Sequence, residues 1–237
     1  MSFNIAIDGP AGAGKSTIAK AAARALGFIY VDTGAMYRAL ALYVLTHPID
    51  AGDEAAVARA MPGIDVTIAY ADGAQQVLLN GENVTDRIRD EQVGNMASKI
   101  SAYGPVREKL LGLQRSLAAR NDVIMDGRDI GTHVLPEAPL KIYLTASVEA
   151  RAQRRYKELT EKGVTASLEA VAQDIKARDH NDMTRTIAPL RQAEDAVYVD
   201  TSDMDIPQVI ERIIELYHDR VPGCQSGQKN GGVDGCR

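Results

Sequence analysis

The chain has 237 residues, 45% of them hydrophobic and 25% charged, with a formal net charge of −5. This is the composition of a soluble globular protein with enough chain for one large or two small domains. The acidic balance argues against a non-specific grip on nucleic acid, and no apolar run approaches the roughly 18 residues of a membrane span.

Along the chain, Asn4 to Asp8 is a short apolar run that reads as a buried strand rather than as a signal peptide. Ser16 to Leu26 carries Ile18, Ala19, Ala22, Ala23 and Leu26 at helical spacing, with Gly27 as a stop. Phe28 to Asp32 is a second strand. A helix follows from near Gly34 and ends before Pro48, because the residue ahead of proline disfavours helical geometry. From Ile64 to Asn83 the pattern changes: Ile64, Val66, Ile68 and Tyr70 alternate with polar or small residues, and Ala71-Asp72-Gly73 and Asn80-Gly81 supply turns. That predicts a small antiparallel unit inserted into an α/β chain.

Helical character then returns, with Pro105 at a helix start and Val106, Leu110, Leu113 and Leu117 along one face. Asp122 to Asp126, Lys141 to Thr145 and Ala196 to Asp200 are three more short apolar runs. Helical segments separate or follow them: Ser147 to about Glu161, Ser167 to Asn181, and Ile206 to His218. Strands alternating with helices predict a five-stranded parallel sheet covered on both faces. From Val221 onward the chain has almost nothing to bury and reads as a disordered tail. Both cysteines, Cys224 and Cys236, lie in it, and a body without cysteine fits a reducing cytoplasm.

Gly9-Pro10-Ala11-Gly12-Ala13-Gly14-Lys15-Ser16 matches G-x-x-x-x-G-K-S, directly after a strand and before a helix. Such a loop turns its N–H groups inward at a helix N-terminus and cradles phosphate. Lys15 then reaches the β- and γ-phosphates of a nucleoside triphosphate, Thr17 lies beside it, and Ser16 ligates Mg²⁺. Asp126 closes a strand expected beside the first, where an acid commonly holds the same ion.

Val31-Asp32-Thr33-Gly34-Ala35-Met36-Tyr37-Arg38 ends the second strand and opens the next helix. Arg38 there can fork onto a phosphate. Asp126-Gly127-Arg128-Asp129 ends a neighbouring strand and adds a second arginine. Arg178, Asp182 and Arg185, spaced by four and three residues, fall on one helix face. Arg151, Arg154 and Arg155 fall on another. Taken singly, each of these arginines is also readable as an ordinary surface charge.

The D-T-G-A-M-Y-R string, D-G-R-D-I-G-T and the later R-D-x-x-D-x-x-R-x-x-A-P-L stretch resemble bacterial cytidylate kinases, from about Asn4 to Tyr217. The resemblance implies a P-loop NTPase fold with three working parts. They are a core (1–36, 104–150 and 170–220), an enlarged monophosphate-binding insert (37–103) and a helical lid (151–169), with the tail at 221–237. It implies phosphoryl transfer from ATP to CMP or dCMP with Mg²⁺. A monomer is expected because no long amphipathic surplus suggests an interface. The resemblance also implies a CMP pocket of Thr33, Arg38, Ser98, Arg107, Arg128, Asp129, Arg178, Asp182 and Arg185, with Thr33 where that family often has serine. Lys15, Arg128, Asp129, Arg178 and Arg185 would do the catalytic work, while Arg151 and Arg155 would close over ATP. A kinase for another acceptor such as UMP, AMP or shikimate is the nearest rival, and a P-loop switch protein is the rival from another class.

Overall fold

In the computed structural model the described residues are 2–71, 73–161 and 163–221. Asp72, Lys162 and the predicted tail from residue 222 onward, with Cys224 and Cys236, lie outside them.

The central sheet has five parallel strands in the order β2-β6-β1-β7-β8. They are β1 (Asn4–Asp8), β2 (Ile29–Asp32), β6 (Val123–Gly127), β7 (Leu140–Thr145) and β8 (Val197–Asp200). All five predicted runs are strands of this one sheet, and β6 does lie beside β1, with Asn4 opposite Val123 and Asp8 opposite Gly127. Alternation along β1 divides the core. Ile5 and Ile7 pack with α1 (Lys15–Leu26) and α8 (Ile206–Arg220) on one face. Ala6 joins the cluster of α2 (Thr33–Thr46) and α5 (Gly104–Arg120) on the other.

The predicted antiparallel unit is a three-stranded sheet, β3 (Val66–Ala71), β4 (Ala74–Leu79) and β5 (Glu82–Asn83). Val66, Val77 and Leu79 belong to the same apolar cluster as α2 and α5, so the insert is packed onto the central fold. Two short helices that no periodic pattern announced flank it. They are α3 (Glu54–Ala60), capped by Asp53, and α4 (Glu91–Ile100), capped by Asp90.

On the other side of the cleft stand α6 (Val148–Glu161) and α7 (Leu168–Thr184). Ser167 caps α7 through the Ala170 N–H, and the helix runs three residues beyond its predicted end. Arg185 follows it in a non-helical conformation, φ −60° and ψ 142°. The expectation that one helix face carries Arg178, Asp182 and Arg185 is therefore corrected, because Arg185 terminates the helix and the chain turns away there.

Candidate active site

The loop between β1 and α1 has the geometry its sequence asks for. At Gly9, φ is 151° and a Cβ would stand 1.9 Å from the Leu144 carbonyl oxygen, so no side chain fits there. Gly14 caps α1 at φ 82°. The loop is held from behind by both helices across the cleft. Arg151 Nη1 donates to the Ala11 carbonyl at 2.8 Å, and the Ala11 N–H donates to Asp179 Oδ1 at 3.3 Å. Arg151 and Asp179 are themselves paired at 2.7 Å. Arg151 Nε donates to the Ala146 carbonyl, so its guanidinium is spent on the loop's framework. Arg155 is half-exposed and pairs with Glu158, at 3.0 Å. Arg154 reaches Thr201 instead.

Lys15 is buried and turned back on the Pro10 carbonyl at 2.7 Å. Burial lowers its pKa, and the Arg128 guanidinium adds to that; Asp126, Asp182 and Asp8 oppose. Ser16 Oγ donates to Asp126 Oδ2 at 2.7 Å, and the Tyr30 hydroxyl donates to the other carboxylate oxygen at 3.1 Å. A hydroxyl and a carboxylate this close beside a phosphate loop suit Mg²⁺, a hard cation that takes few protein oxygens and keeps several waters. Thr33, the first residue of α2, donates its hydroxyl to the Asp126 carbonyl at 2.7 Å.

A cavity of about 480 Å³ opens between α4 and α7. Ser98, Arg178, Asp182 and Arg185 line it, and Arg178 spans it to Asn95 at 2.8 Å. Behind Arg185 lies a buried cluster: Asp129 accepts from Arg107 through one oxygen and from Arg185, at 3.2 Å, through the other. Arg107 also faces the Tyr37 ring at 5.7 Å and donates to the Ser101 carbonyl at 3.2 Å. Arg128 donates to Asp182 Oδ2 at 2.8 Å, within the field of Lys15, so the loop and the cavity meet at that pair. Arg38 has no hydrogen bond or ion pair to any described residue. Its pKa is lowered first by burial; Asp32 opposes, while Arg89, Arg178 and Arg128 lower it further.

The structure thus gathers Ser98, Arg178, Asp182 and Arg185 around one space. Arg107, Arg128 and Asp129 stand one contact behind, and Thr33 and Arg38 hang from α2. It also brings in residues that sequence reading passed over. Asp8 accepts from the Ile130 and Gly131 N–H groups at 2.8 and 2.7 Å, fixing the turn that carries Asp129. Burial raises its pKa to about 6 against those two hydrogen bonds. Asp32 caps α2 through the Ala35 N–H, an N-cap signal that was present in the sequence. Asp179 is visible there only as part of a motif.

A phosphate loop at the end of β1, opposite an arginine-lined cavity at the C-terminal edge of the same parallel sheet, defines a P-loop phosphotransferase. The cytidylate kinase family profile matches residues 5–219. A cytidylate kinase of Caldicellulosiruptor bescii is 51% identical over 216 residues, covering 91% of this chain and 96% of that one. One from Halalkalibacterium halodurans is 47% identical over 219 residues, covering 92% and 99%. The chain belongs to the cytidylate kinase family. Among solved structures, shikimate kinase from Acinetobacter baumannii aligns over 92% of this chain and 94% of that one, with TM-score 0.47 and 18% identity. A likeness that slight bears on neither fold nor acceptor.

Proposed function

We propose that this protein transfers the γ-phosphoryl group of ATP to CMP or dCMP, giving ADP and CDP or dCDP. The observation that carries the reading is the Arg128–Asp182 pair, whose charges act on Lys15 of the phosphate loop and whose acid lines the α4–α7 cavity, in a chain of this family. The core binds ATP, the insert at 37–103 presents the acceptor, and 151–169 closes over the donor.

An oxygen of the CMP phosphate attacks the γ-phosphorus in line, and the bond to the β–γ bridging oxygen breaks. That acceptor has a second pKa near about 6, so at neutral pH it needs no protein base. The barrier is electrostatic, and it is lowered by Lys15, the loop N–H groups and the arginines Arg38, Arg128, Arg178 and Arg185. Ser16 and Asp126 would hold Mg²⁺, which when bound would offset charge on the β- and γ-phosphates. Asp129 and Ser98 accept from the cytosine amino group while Arg107 donates to its acceptor edge. Uracil would turn a carbonyl towards the carboxylate, which costs about 1–3 kcal/mol per unpaired buried group, so UMP is the poorer acceptor. Closure excludes water, which would otherwise take the phosphoryl group.

The test is ADP release with ATP and Mg²⁺ in the presence of CMP, dCMP, UMP, AMP or GMP singly. Turnover strongest with CMP or dCMP supports the reading. Turnover with AMP alone, or with none of them, overturns it.

A further inference from the structure

We propose that Arg89, carried by the inserted unit, is a further arginine of the acceptor-phosphate grip and closes on that phosphate together with Arg38. The inference rests on the reading that a nucleoside monophosphate is the acceptor.

Arg89 ends a short 3-10 turn, Arg87–Arg89, whose central Ile88 is fully buried and pins the turn to the apolar core. Arg87 turns out to pair with Glu82 at 2.7 Å. Arg89 turns the other way, towards the end of β2, and comes to 3.8 Å from Asp32 Oδ2. That is too long for a hydrogen bond, and the Arg89 side chain is 59% exposed while that of Asp32 is 10% exposed. Such a contact is a resting place rather than a lock.

Asp32 serves two cations, lying 3.8 Å from Arg89 and opposing the loss of charge at Arg38. Its other oxygen is occupied by the Ala35 N–H. Arg38, hydrogen-bonded to nothing described, feels Asp32 and Arg89 as its strongest neighbouring charges. Arg128 and Arg178 have acids of their own in Asp182 and Asp174. Arg38 and Arg89 share one, so their surroundings are short of negative charge. A phosphate dianion supplies what is missing, and two planar forks suit its oxygens.

The insert is fixed at the place this requires. The Gln75 side chain accepts from the Asp32 N–H at 2.8 Å and donates to the Asp32 carbonyl at 3.3 Å. The Tyr70 hydroxyl donates to the Tyr30 carbonyl at 3.1 Å. Arg89 and Gln75 line one space of about 200 Å³ together with Ser16, Thr17 and Lys20, so Arg89 shares an opening with the end of the phosphate loop. If Arg89 were only an exposed partner of Asp32, the pair would add little to stability and ligand binding would ignore it.

Calorimetric titration of CMP and of cytidine separates the two, because only CMP carries the phosphate. Arg89→Gln is expected to weaken CMP roughly 10- to 100-fold, the size of a charge-assisted hydrogen bond. Cytidine binding should be unchanged and the melting temperature kept. Arg89→Lys should recover part of the CMP affinity, and Arg87→Gln should change nothing. CMP affinity in Arg89→Gln within twofold of wild type overturns the proposal. So does equal loss of CMP and cytidine, which would mean a structural role. If the wild type binds another monophosphate and not CMP, the proposed acceptor falls. The same comparison with that monophosphate and its nucleoside then decides Arg89.

Discussion

Ser16 Oγ donates to Asp126 Oδ2 at 2.7 Å, joining the first turn of α1 to the strand beside β1. Asp126 is fully enclosed, and burial raises its pKa, helped by Asp32 and opposed by Lys15, Ser16 and Tyr30. A cation at this pair would reverse the shift by favouring the carboxylate. Asp126→Asn keeps the shape and removes the charge, so the apparent Mg²⁺ affinity should fall about 10- to 100-fold. A Mg²⁺ titration of ADP release at saturating nucleotides reads this directly. An unchanged Mg²⁺ midpoint would show that Asp126 only anchors Ser16.

Asp129 binds two arginines at once, Arg107 and Arg185, and all three side chains are buried. Burial lowers the Arg185 pKa, and the Arg107 charge next to it adds to that. Asp129→Ala leaves both cations without their carboxylate, and breaking a buried pair in this way costs about 3–5 kcal/mol. The expected result is a lower urea midpoint together with a collapse of the CMP-to-UMP ratio of kcat/KM. Lost stability with the ratio preserved would separate Asp129 from base recognition and leave it as the clamp for the arginines.

The parts of this fold written in local periodicity were legible in the sequence. The five apolar runs are the five sheet strands because each is bounded by turn or helix signals within a few residues. The loop at Gly9 to Ser16 is fixed by glycines whose conformations only glycine takes easily. What stayed hidden depends on partners far along the chain. Asp8 acts on a turn 122 residues away, and Gln75 on a residue 43 away, with no local pattern to mark either. Arg185 misled the reading in the opposite way. Its spacing from Asp182 is helical, yet the backbone leaves the helix there and its Nε turns onto the Ala188 carbonyl.

Arg151 and Arg155 look alike in sequence and differ in the fold. Arg151 holds the Ala11 carbonyl, the Ala146 carbonyl and Asp179, all from a buried position. Arg151→Ala should therefore destabilise the protein by about 3–5 kcal/mol and raise the KM for ATP through a loosened loop. Arg155→Ala removes a half-exposed pair, so stability should move by no more than about 0.5 kcal/mol. If Arg155 closes over ATP, its loss appears in kcat without a change in melting temperature. Thermal melts and ATP titrations of the two variants, run side by side, distinguish framework from lid. Equal melting temperatures would contradict the assignment of Arg151.

Lys15 has its pKa lowered to about 7, chiefly by burial and then by Arg128. In the free protein its charge is therefore present below about pH 7 and is lost as the pH rises through that value. Bound phosphates favour the ammonium form and move the pKa back up towards its ordinary 10.5. Binding of MgATP near pH 8 must then take up a proton, approaching one per site, and ATP affinity should weaken as the pH rises above 7. Calorimetry in buffers of different ionisation enthalpy measures the uptake, with Lys15→Met as the baseline for every other titrating group. No difference between wild type and Lys15→Met would mean that Lys15 is already fully charged in the free loop, its ammonium stabilised by Asp126, Asp182 and Asp8 against the cost of burial.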